Sequence, residues 1–332
     1  MTAITIDSLW SRGRASARRM DIRPAIAWGL AIVLFAVYAA FQPDVVSREQ
    51  LTDLCSATVF LVALGLGEGL VILTRGIDLS LGGILSMGTA IAATHFVSAG
   101  SEITWSVVII ASGALVGVLN GALIGILELQ PFIVTLATWS VVSGIALIIL
   151  PIQGGSIPTG FANWINQASA GFPNAAWVIV AMIIVWSWFK RRRLGRRIYA
   201  LGSDPEGAAI AGVHPRSTLI SVYCIAGVCA AVGSIFYAML TASGDPTVGN
   251  GEILPAVTAV VIGGTSLYGG SGGFVGTVGG AFALTLIADV VFVLNLSSYW
   301  QQLAYGILLI AAVLAGGALR SMRIRRAALR AP

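Results

Sequence analysis

The sequence predicts an all-α membrane protein, a polytopic bundle of about ten transmembrane helices with both termini in the cytoplasm. Apolar residues make up 57% of its 332 positions, whereas Asp, Glu, Lys and Arg together make up only 10%. Soluble domains carry about 25% charged residues, so this chain has too few charges to cover a water-facing surface. The mean hydropathy of +0.91 agrees. Lipid is therefore the expected solvent for most of the chain.

Ten apolar stretches set the predicted spans, and most are close to the ~20 residues that a helix needs to cross a bilayer. They are 24–41, 54–73, 79–97, 103–127, 131–150, 174–189, 217–241, 253–268, 274–296 and 299–319. The weakest is 253–268, because Pro255, Gly263 and Gly264 interrupt it. A short tilted span and a re-entrant element both fit that stretch. The first stretch is longer than a signal-peptide core, and we expect an uncleaved anchor.

Basic residues decide the orientation of these spans. They form three clusters, before the first span, in the loop 190–216 and after the last span: Arg12, Arg14, Arg18, Arg19, Arg23; Lys190, Arg191, Arg192, Arg193, Arg196, Arg197, Arg216; Arg320, Arg323, Arg325, Arg326, Arg330. The positive-inside rule places all three clusters in the cytoplasm, and ten crossings satisfy it. The net charge of +5 therefore reflects topology and does not indicate a nucleic-acid partner.

The same reasoning predicts three parts of the chain. A basic cytoplasmic tail covers 1–23, a single transmembrane domain covers 24–319 and includes the cytoplasmic loop 190–216, and a second basic tail covers 320–332.

Two series of glycines recur every fourth residue along predicted helices. This spacing draws a smooth stripe along which a second helix can approach closely. We therefore predict helix packing at both series: Gly113, Gly117, Gly121, Gly125; Gly272, Gly276, Gly280.

The sequence contains no P-loop and gives no support for a catalytic site. A phosphate-binding P-loop requires Gly-x-x-x-x-Gly-Lys-Ser/Thr, and the only lysine is Lys190, within Phe189-Lys190-Arg191. His95 and His214 have no Cys or carboxylate at metal-ligand spacing. We therefore expect no catalysis, no metal and no cofactor in this chain, so that any ATP is bound and hydrolysed by a partner.

Polar residues inside the apolar stretches are candidates for a translocation pathway. An ionisable side chain at the centre of a span costs about 2.5–3.5 kcal/mol on insertion scales, and such residues are functional candidates by default. The candidates are Glu68, Asp78, Asn120, Thr135, Trp139 and Asp289. A structural role, in which a neighbouring helix satisfies the polar group, is the alternative for each of them.

The turn before the third span contains three polar residues with more than one possible role. Arg75 and Asp78 are three residues apart and could pair with each other. Asp78 or Ser80 could instead cap the helix that starts near Leu79. The stretches 74–82 and 262–270 also share their placement of Gly and Leu, which a parallel internal repeat and chance explain equally well.

A short helix is predicted inside the cytoplasmic loop, over about 203–212. Ser203 or Asp204 can cap it, Pro205 suits its first turn, and Glu206 suits the positive end of its dipole. Gly212 ends it. The helix presents small and apolar residues to a soluble partner: Ala208, Ala209, Ile210.

Four motifs together resemble the ribose-type permease family of bacterial binding-protein-dependent ABC importers. They are Thr74-Arg75-Gly76-Ile77-Asp78-Leu79-Ser80-Leu81-Gly82, Pro131-Phe132-Ile133-Val134-Thr135-Leu136, Tyr199-Ala200-Leu201-Gly202 leading into Ala208-Ala209-Ile210-Ala211-Gly212-Val213, and Gly263-Gly264-Thr265-Ser266-Leu267-Tyr268-Gly269-Gly270. Each motif alone is weak, but their order and spacing are specific, and the similarity covers about 50–318. The sequence departs from the family pattern at Arg75, where members usually carry glycine.

The resemblance implies a permease in the bacterial inner membrane that imports a monosaccharide-like solute. It implies as partners a second permease subunit, identical or different, a cytoplasmic ABC ATPase that contacts the 203–212 helix, and a periplasmic sugar-binding protein. Two alternatives stay open: a branched-chain amino-acid-type ABC permease, and an ion-coupled secondary transporter that uses Glu68 or Asp289.

Overall fold

A computed structural model describes residues 23–97 and 100–328, with side chains for 24–97 and 100–317. The described residues form thirteen helices and one hairpin: α1 (Arg23–Phe41), α2 (Arg48–Leu73), α3 (Ser80–His95), α4 (Ser101–Gly125), α5 (Pro131–Ile149), α6 (Thr159–Ile165), β1 (Ala168–Ser169), β2 (Phe172–Pro173), α7 (Asn174–Phe189), α8 (Arg193–Ser203), α9 (Pro205–Ile210), α10 (Pro215–Thr241), α11 (Gly249–Ile262), α12 (Phe274–Val293) and α13 (Ser298–Ala328). A 3₁₀ turn, Pro43–Val46, joins α1 to α2. The predicted all-α polytopic class is confirmed.

Seven helices are long and apolar enough to cross a membrane: α1, α2, α4, α5, α10, α12 and α13. The other three predicted spans fall on α3, α7 and α11, which have 16, 16 and 14 residues. Helices of that length rise about 21–24 Å, less than a hydrocarbon core of about 30 Å. The chain is thus a multi-pass membrane protein, while ten crossings and the sidedness of the termini stay predictions.

The weakest predicted span is displaced in the structure. Helix α11 covers Gly249–Ile262 and contains Pro255 in its interior, so it begins and ends earlier than the predicted stretch 253–268. Because the first turn of α11 is polar, hydropathy alone did not indicate where the helix begins. Gly264, with φ +90°, lies in the turn that ends the helix.

One glycine series differs from its prediction. Gly272 has φ +138° and precedes α12, so it does not belong to the helical stripe. The two glycines that follow do contact α11: Gly276 lies against Gly263, and a Cβ at Gly280 would lie 2.9 Å from the carbonyl carbon of Ala259.

The other series joins α4 to the antiparallel α10 along most of its length. A Cβ at Gly113 would lie 2.5 Å from Gly227 O, and one at Gly121 would lie 2.5 Å from Ile220 Cα. Gly117 lies directly against Tyr223 O, and Gly125 lies beside Arg216. Small residues therefore let the two backbones touch with no side chain between them.

The helices differ in how much of their surface is buried. About four-fifths of the most apolar window of α2 is buried, and 72% of that of α12, whereas α13 buries only 6%. Helix α3 is also buried along most of its length, from Ser80 to Ala93. Helices α2, α3 and α12 therefore form the centre of the bundle, and α1, α5 and α13 present apolar faces outward.

The interhelical loops gather at two opposite ends of the bundle. At one end the loops that follow α2, α4, α7 and α11 meet: Gly270 N donates to Leu73 O at 3.0 Å, and Arg216 approaches Glu128 at 4.0 Å. At the other end Gly154 and Gly244 form a backbone bridge, and Ser56 Oγ donates to Ile165 O at 3.0 Å. We call the first end the coupling end.

Three elements were not predicted. Helix α6 and the β1–β2 hairpin, whose turn contains Gly171 with φ +84°, lie at the end opposite the coupling end. Helix α8 begins within the basic run of the loop 190–216 and buries Ile198 and Leu201. The apolar spacing of Leu194, Ile198 and Leu201 is typical of an amphipathic helix and would have revealed it.

The predicted tails are only partly described. The first 22 residues, including Arg12, Arg14, Arg18 and Arg19, lie outside the described residues. Helix α13 continues to Ala328, so most of the predicted tail at 320–332 extends this helix.

Candidate functional site

The short helix α9 lies at the coupling end and presents its apolar side chain outward. Asp204 caps it, since Asp204 Oδ1 accepts a hydrogen bond from Gly207 N at 3.1 Å. Pro205 occupies the first turn, and Gly212, with φ +80°, lies in the turn that follows. The helix is shorter than the predicted 203–212, and Ser203 belongs to the end of α8 rather than to the cap.

The side chains of α9 divide into an anchored and an exposed face. Ala208 is buried, whereas Ser203, Asp204, Pro205, Glu206, Ala209 and Ile210 are exposed. Ile210 is 89% exposed, the largest value among the exposed apolar side chains of the described residues. A single exposed isoleucine is ordinary on a protein surface, so Ile210 is of interest because it lies on a short, capped helix at the coupling end.

Three chain segments meet beside α9. Arg75 Nε donates to Gly202 O at 2.7 Å, and Arg75 Nη2 donates to Ser203 O at 2.8 Å. Tyr199 OH donates to Gly272 O at 2.8 Å. Burial raises the pKa of Tyr199 to about 12, further above neutral pH than the usual value of about 10, and the hydroxyl is a donor at neutral pH in either case. We call this set of contacts the coupling junction; it joins the ends of α2 and α8 to the loop 263–273.

The possible ion pair between Arg75 and Asp78 is not formed among the described residues. Asp78 is buried and instead accepts hydrogen bonds at Oδ1 from Ser80 N at 3.0 Å and Ser80 Oγ at 2.6 Å. Asp78 thus bonds the first residue of α3, whereas the N-cap position is occupied by Leu79, which makes no side-chain capping bond. Arg75 turns away because two carbonyls at the end of α8 lie within its reach.

Four of the six pathway candidates lie close together and are buried. Glu68 Oε1 accepts from Asp78 N at 3.3 Å, Asn120 Nδ2 donates to Ser80 Oγ at 2.8 Å, and Thr135 Oγ1 donates to Ile77 O at 3.2 Å. These bonds link α2, α3, α4 and α5. A polar network of this kind holds helices together in lipid, where water cannot compete.

The network is only partly satisfied. Three acceptor atoms have no hydrogen-bond partner among the described residues: Glu68 Oε2, Asp78 Oδ2 and Asn120 Oδ1. Tyr223 OH, which lies against Gly76, is likewise unpartnered. Sequence reasoning missed this tyrosine because nothing in the surrounding sequence indicates which distant turn its hydroxyl meets.

The remaining two candidates lie apart from that network. Trp139 follows Thr135 by one turn on α5, and its indole Nε1 is also unpartnered. The Trp139 backbone packs against Gly83, where a Cβ would lie 3.1 Å from Trp139 O. Asp289 is half-buried near the end of α12 that is distant from the coupling end. None of the groups of His, Cys, Asp and Glu within the described residues is arranged to hold a metal ion.

The sequence is similar to a known family and to several known permease proteins. A family described as "Branched-chain amino acid transport system / permease component" matches residues 50–313. The ribose import permease protein RbsC of Escherichia coli K12 is 32% identical over 294 residues, covering 85% of this chain and 90% of RbsC. The D-allose permease protein AlsC of the same organism is 31% identical, covering 85% and 87%. The galactose/methyl galactoside permease protein MglC is 29% identical, covering 85% and 90%.

These matches separate two readings that the sequence left open. The family description mentions branched-chain amino acids, but the three full-length relatives are named for sugars. All three are named as permease proteins of transport systems. The chain therefore belongs to this family of transport-system permease components, in the group formed by the sugar permeases of ABC importers.

Proposed function

We propose that this chain is the inner-membrane permease subunit of a bacterial ABC importer for a monosaccharide-like solute. A periplasmic binding protein would deliver the solute, and a separate cytoplasmic ATPase would supply the energy. The names of the relatives support the solute class, since they import ribose, allose and galactose. The only lysine, Lys190, does not lie in a P-loop motif, which supports the separate ATPase.

The single observation that carries the proposal is the exposed, capped helix α9. A permease without a nucleotide site must receive mechanical work through a surface that a soluble protein can grip. Helix α9 offers Ile210 as an apolar anchor, and its Asp204 cap keeps the helix formed before a partner binds. We infer that Ile210 and Ala209 insert into a groove on the ATPase.

The apolar outer helices leave room for a second permease subunit and for lipid. Helices α1, α5 and α13 expose apolar faces, and an alternating-access cycle needs a passage that opens between two such subunits. The polar network around Asp78 is buried inside one chain here, so we assign it first to holding α2, α3 and α4 together. Its use as a solute pathway remains a hypothesis, because its unpartnered oxygens would become accessible only after these helices separate.

The test replaces residues 205–212 with a flexible Gly-Ser segment of equal length in the reconstituted permease, ATPase and binding protein. We expect the variant to insert normally but to lose ATPase attachment and ATP-dependent uptake of labelled sugar. A matched pair of point variants narrows the result. Ile210→Glu should weaken ATPase attachment, whereas Ile152→Glu, at a residue 78% exposed beyond the other end of α5, should not.

Two outcomes would overturn the proposal. One is full ATPase attachment and full uptake without an intact α9. The other is uptake by the unaltered chain that ignores ATP and follows a proton gradient, which would indicate a secondary transporter that uses Glu68 or Asp289.

A further inference from the structure

The turn that ends α2 has an unusual residue at its left-handed position. Arg75 N donates to Ile72 O at 3.0 Å and Gly76 N donates to Val71 O at 3.1 Å, which is the hydrogen-bond pattern of a Schellman motif. Arg75 occupies the position where this motif favours glycine, and its φ is +70°. Residues with a Cβ rarely adopt this conformation.

A second copy of the same turn ends α11. Gly264 N donates to Val261 O at 3.0 Å and Thr265 N donates to Val260 O at 3.1 Å, and Gly264 has φ +90°. This is the second of the two stretches whose resemblance the sequence suggested. Because glycine completes the turn here without strain, the turn alone does not account for an arginine at 75.

The contacts of its side chain explain why an arginine occupies position 75. Its guanidinium bridges the carbonyls of Gly202 and Ser203, the last two residues of α8, at 2.7 and 2.8 Å. A cation at a helix C-terminus is favoured by the helix dipole, and a planar guanidinium can serve two carbonyls at once, whereas an ammonium group is a single point of charge. The next residue, Asp204, is the cap of α9.

The rest of the junction is shaped around this contact. A Cβ at Gly269 would lie 2.5 Å from Arg75 Cγ, so a larger residue there would displace the arginine. Gly270 N donates to Leu73 O at 3.0 Å, and Ser203 Oγ donates to Gly270 O at 3.3 Å. The end of α2, the start of the α9 segment and the loop before α12 are therefore held as one unit.

We propose that Arg75 is a positioning residue for energy coupling, tying the ATPase-contacting segment to the end of α2. A displacement of α9 then pulls the carbonyls of Gly202 and Ser203, and through the guanidinium it moves the turn 74–79 together with α2 and α3. This inference rests on the proposed function, because it requires the ATPase to act on α9.

The test uses Arg75→Gly and Arg75→Lys in the complete complex of permease, ATPase and binding protein in proteoliposomes. Three quantities are measured: ATPase retained on purification, ATP hydrolysis, and labelled sugar imported per ATP hydrolysed. For Arg75→Gly we expect full ATPase retention and an unchanged or higher melting temperature, because glycine relieves the left-handed strain. The sugar imported per ATP should fall about tenfold, because two charge-assisted hydrogen bonds are lost. For Arg75→Lys the sugar imported per ATP should lie between the values for the wild type and Arg75→Gly, since the lysine ammonium can reach one carbonyl.

Arg216→Ala is the matched control, because it removes another exposed arginine of the coupling end without touching the junction. It should import sugar at the wild-type ratio. A wild-type ratio in Arg75→Gly would overturn the role of Arg75 and leave the proposed function intact. Loss of the ATPase from Arg75→Gly would also overturn it, since the residue would then serve assembly. Uptake by the wild-type complex that does not depend on ATP would overturn the proposed function and this inference together.

Discussion

The seam between α4 and α10 and the coupling junction both depend on glycine, but in opposite ways. In the seam, Gly113 and Gly117 let two helical backbones touch, with no polar side chain at the contact. In the junction, Gly269 and Gly270 have φ of +76° and +67° and form turns around an exposed arginine. Lipid surrounds the first contact and offers no competing hydrogen bonds, whereas water reaches the second.

The difference teaches which parts of the bundle move as a unit. Close backbone packing has no alternative arrangement within reach, because a small shift produces either a clash or a void. Hydrogen bonds from Arg75 to carbonyls can break and re-form as water replaces them. We therefore expect α4 and α10 to move together as a rigid pair, and the coupling junction to transmit motion only while the hydrogen bonds of Arg75 hold.

The largest effect should come from filling the seam. Gly117→Leu would force a side chain against Tyr223 O, and overpacking at a helix contact should cost about 3 kcal/mol or more. We expect low yield and a strongly reduced melting temperature in detergent. The control is Gly144→Leu on α5, where no atom beyond the local backbone of the same helix lies within 4 Å of the added Cβ. Equal losses for the two variants would show that the seam is not rigid.

A smaller loss of stability is expected where two helices are joined by a side-chain hydrogen bond rather than by direct backbone packing. Asn120→Ala removes the bond from α4 to Ser80 Oγ on α3 and should lower the free energy of unfolding by about 1–2 kcal/mol. Ser112→Ala is the control, because Ser112 Oγ donates within its own helix, to Ile109 O. If both variants melt alike, the buried polar network contributes nothing beyond local bonding.

At the coupling end, the cap of α9 should matter locally but not globally. Asp204→Ala removes the acceptor of Gly207 N and should destabilise the short helix by about 1 kcal/mol. Amide hydrogen exchange over 205–210 should become faster while the melting temperature of the whole chain stays unchanged. Asp204→Ser restores a capping oxygen and should restore protection. A drop in the global melting temperature would mean that α9 is part of the rigid bundle.

The smallest effect is expected for the ion pair between Arg216 and Glu128. Its atoms are 4.0 Å apart, and its side chains are 67% and 79% exposed, so the pair should contribute less than about 0.5 kcal/mol. Thermal melting of Arg216→Ala at low and high salt should give the same curve as the unaltered chain. A shift of several degrees at low salt would show that the coupling end is stiffer than its exposure indicates.

Sequence reasoning located the long helices because their signal is local. A run of apolar residues that can span the bilayer has few alternatives to a helix, since each backbone polar group must be satisfied within its own segment. The signal for α9 is local as well, because Asp204 and Pro205 mark its start and Gly212 follows its end. The short helices were harder, and α11 was displaced because Glu252 stands in its first turn.

The partners of single polar side chains were not predictable in the same way. Arg75 and Asp78 are near in sequence, yet one binds the end of α8, more than 120 residues away, and the other binds Ser80. Which neighbour a side chain meets depends on how distant turns are brought together. Tyr223 and Gly76 meet for the same reason, and neither residue signals the other in sequence.

The sequence by itself determined that this chain lies in lipid, crosses it several times and has no P-loop motif, because composition, apolar run length and the position of the single lysine, Lys190, are properties of the chain in any conformation. Only the tertiary structure decided that Glu68, Asp78, Asn120 and Thr135 lie together, that Gly272 stands outside its stripe, and that Arg75 reaches the segment before α9. Those facts depend on which helix faces which, and long-range packing in the bundle sets them through backbone contacts that no local pattern records.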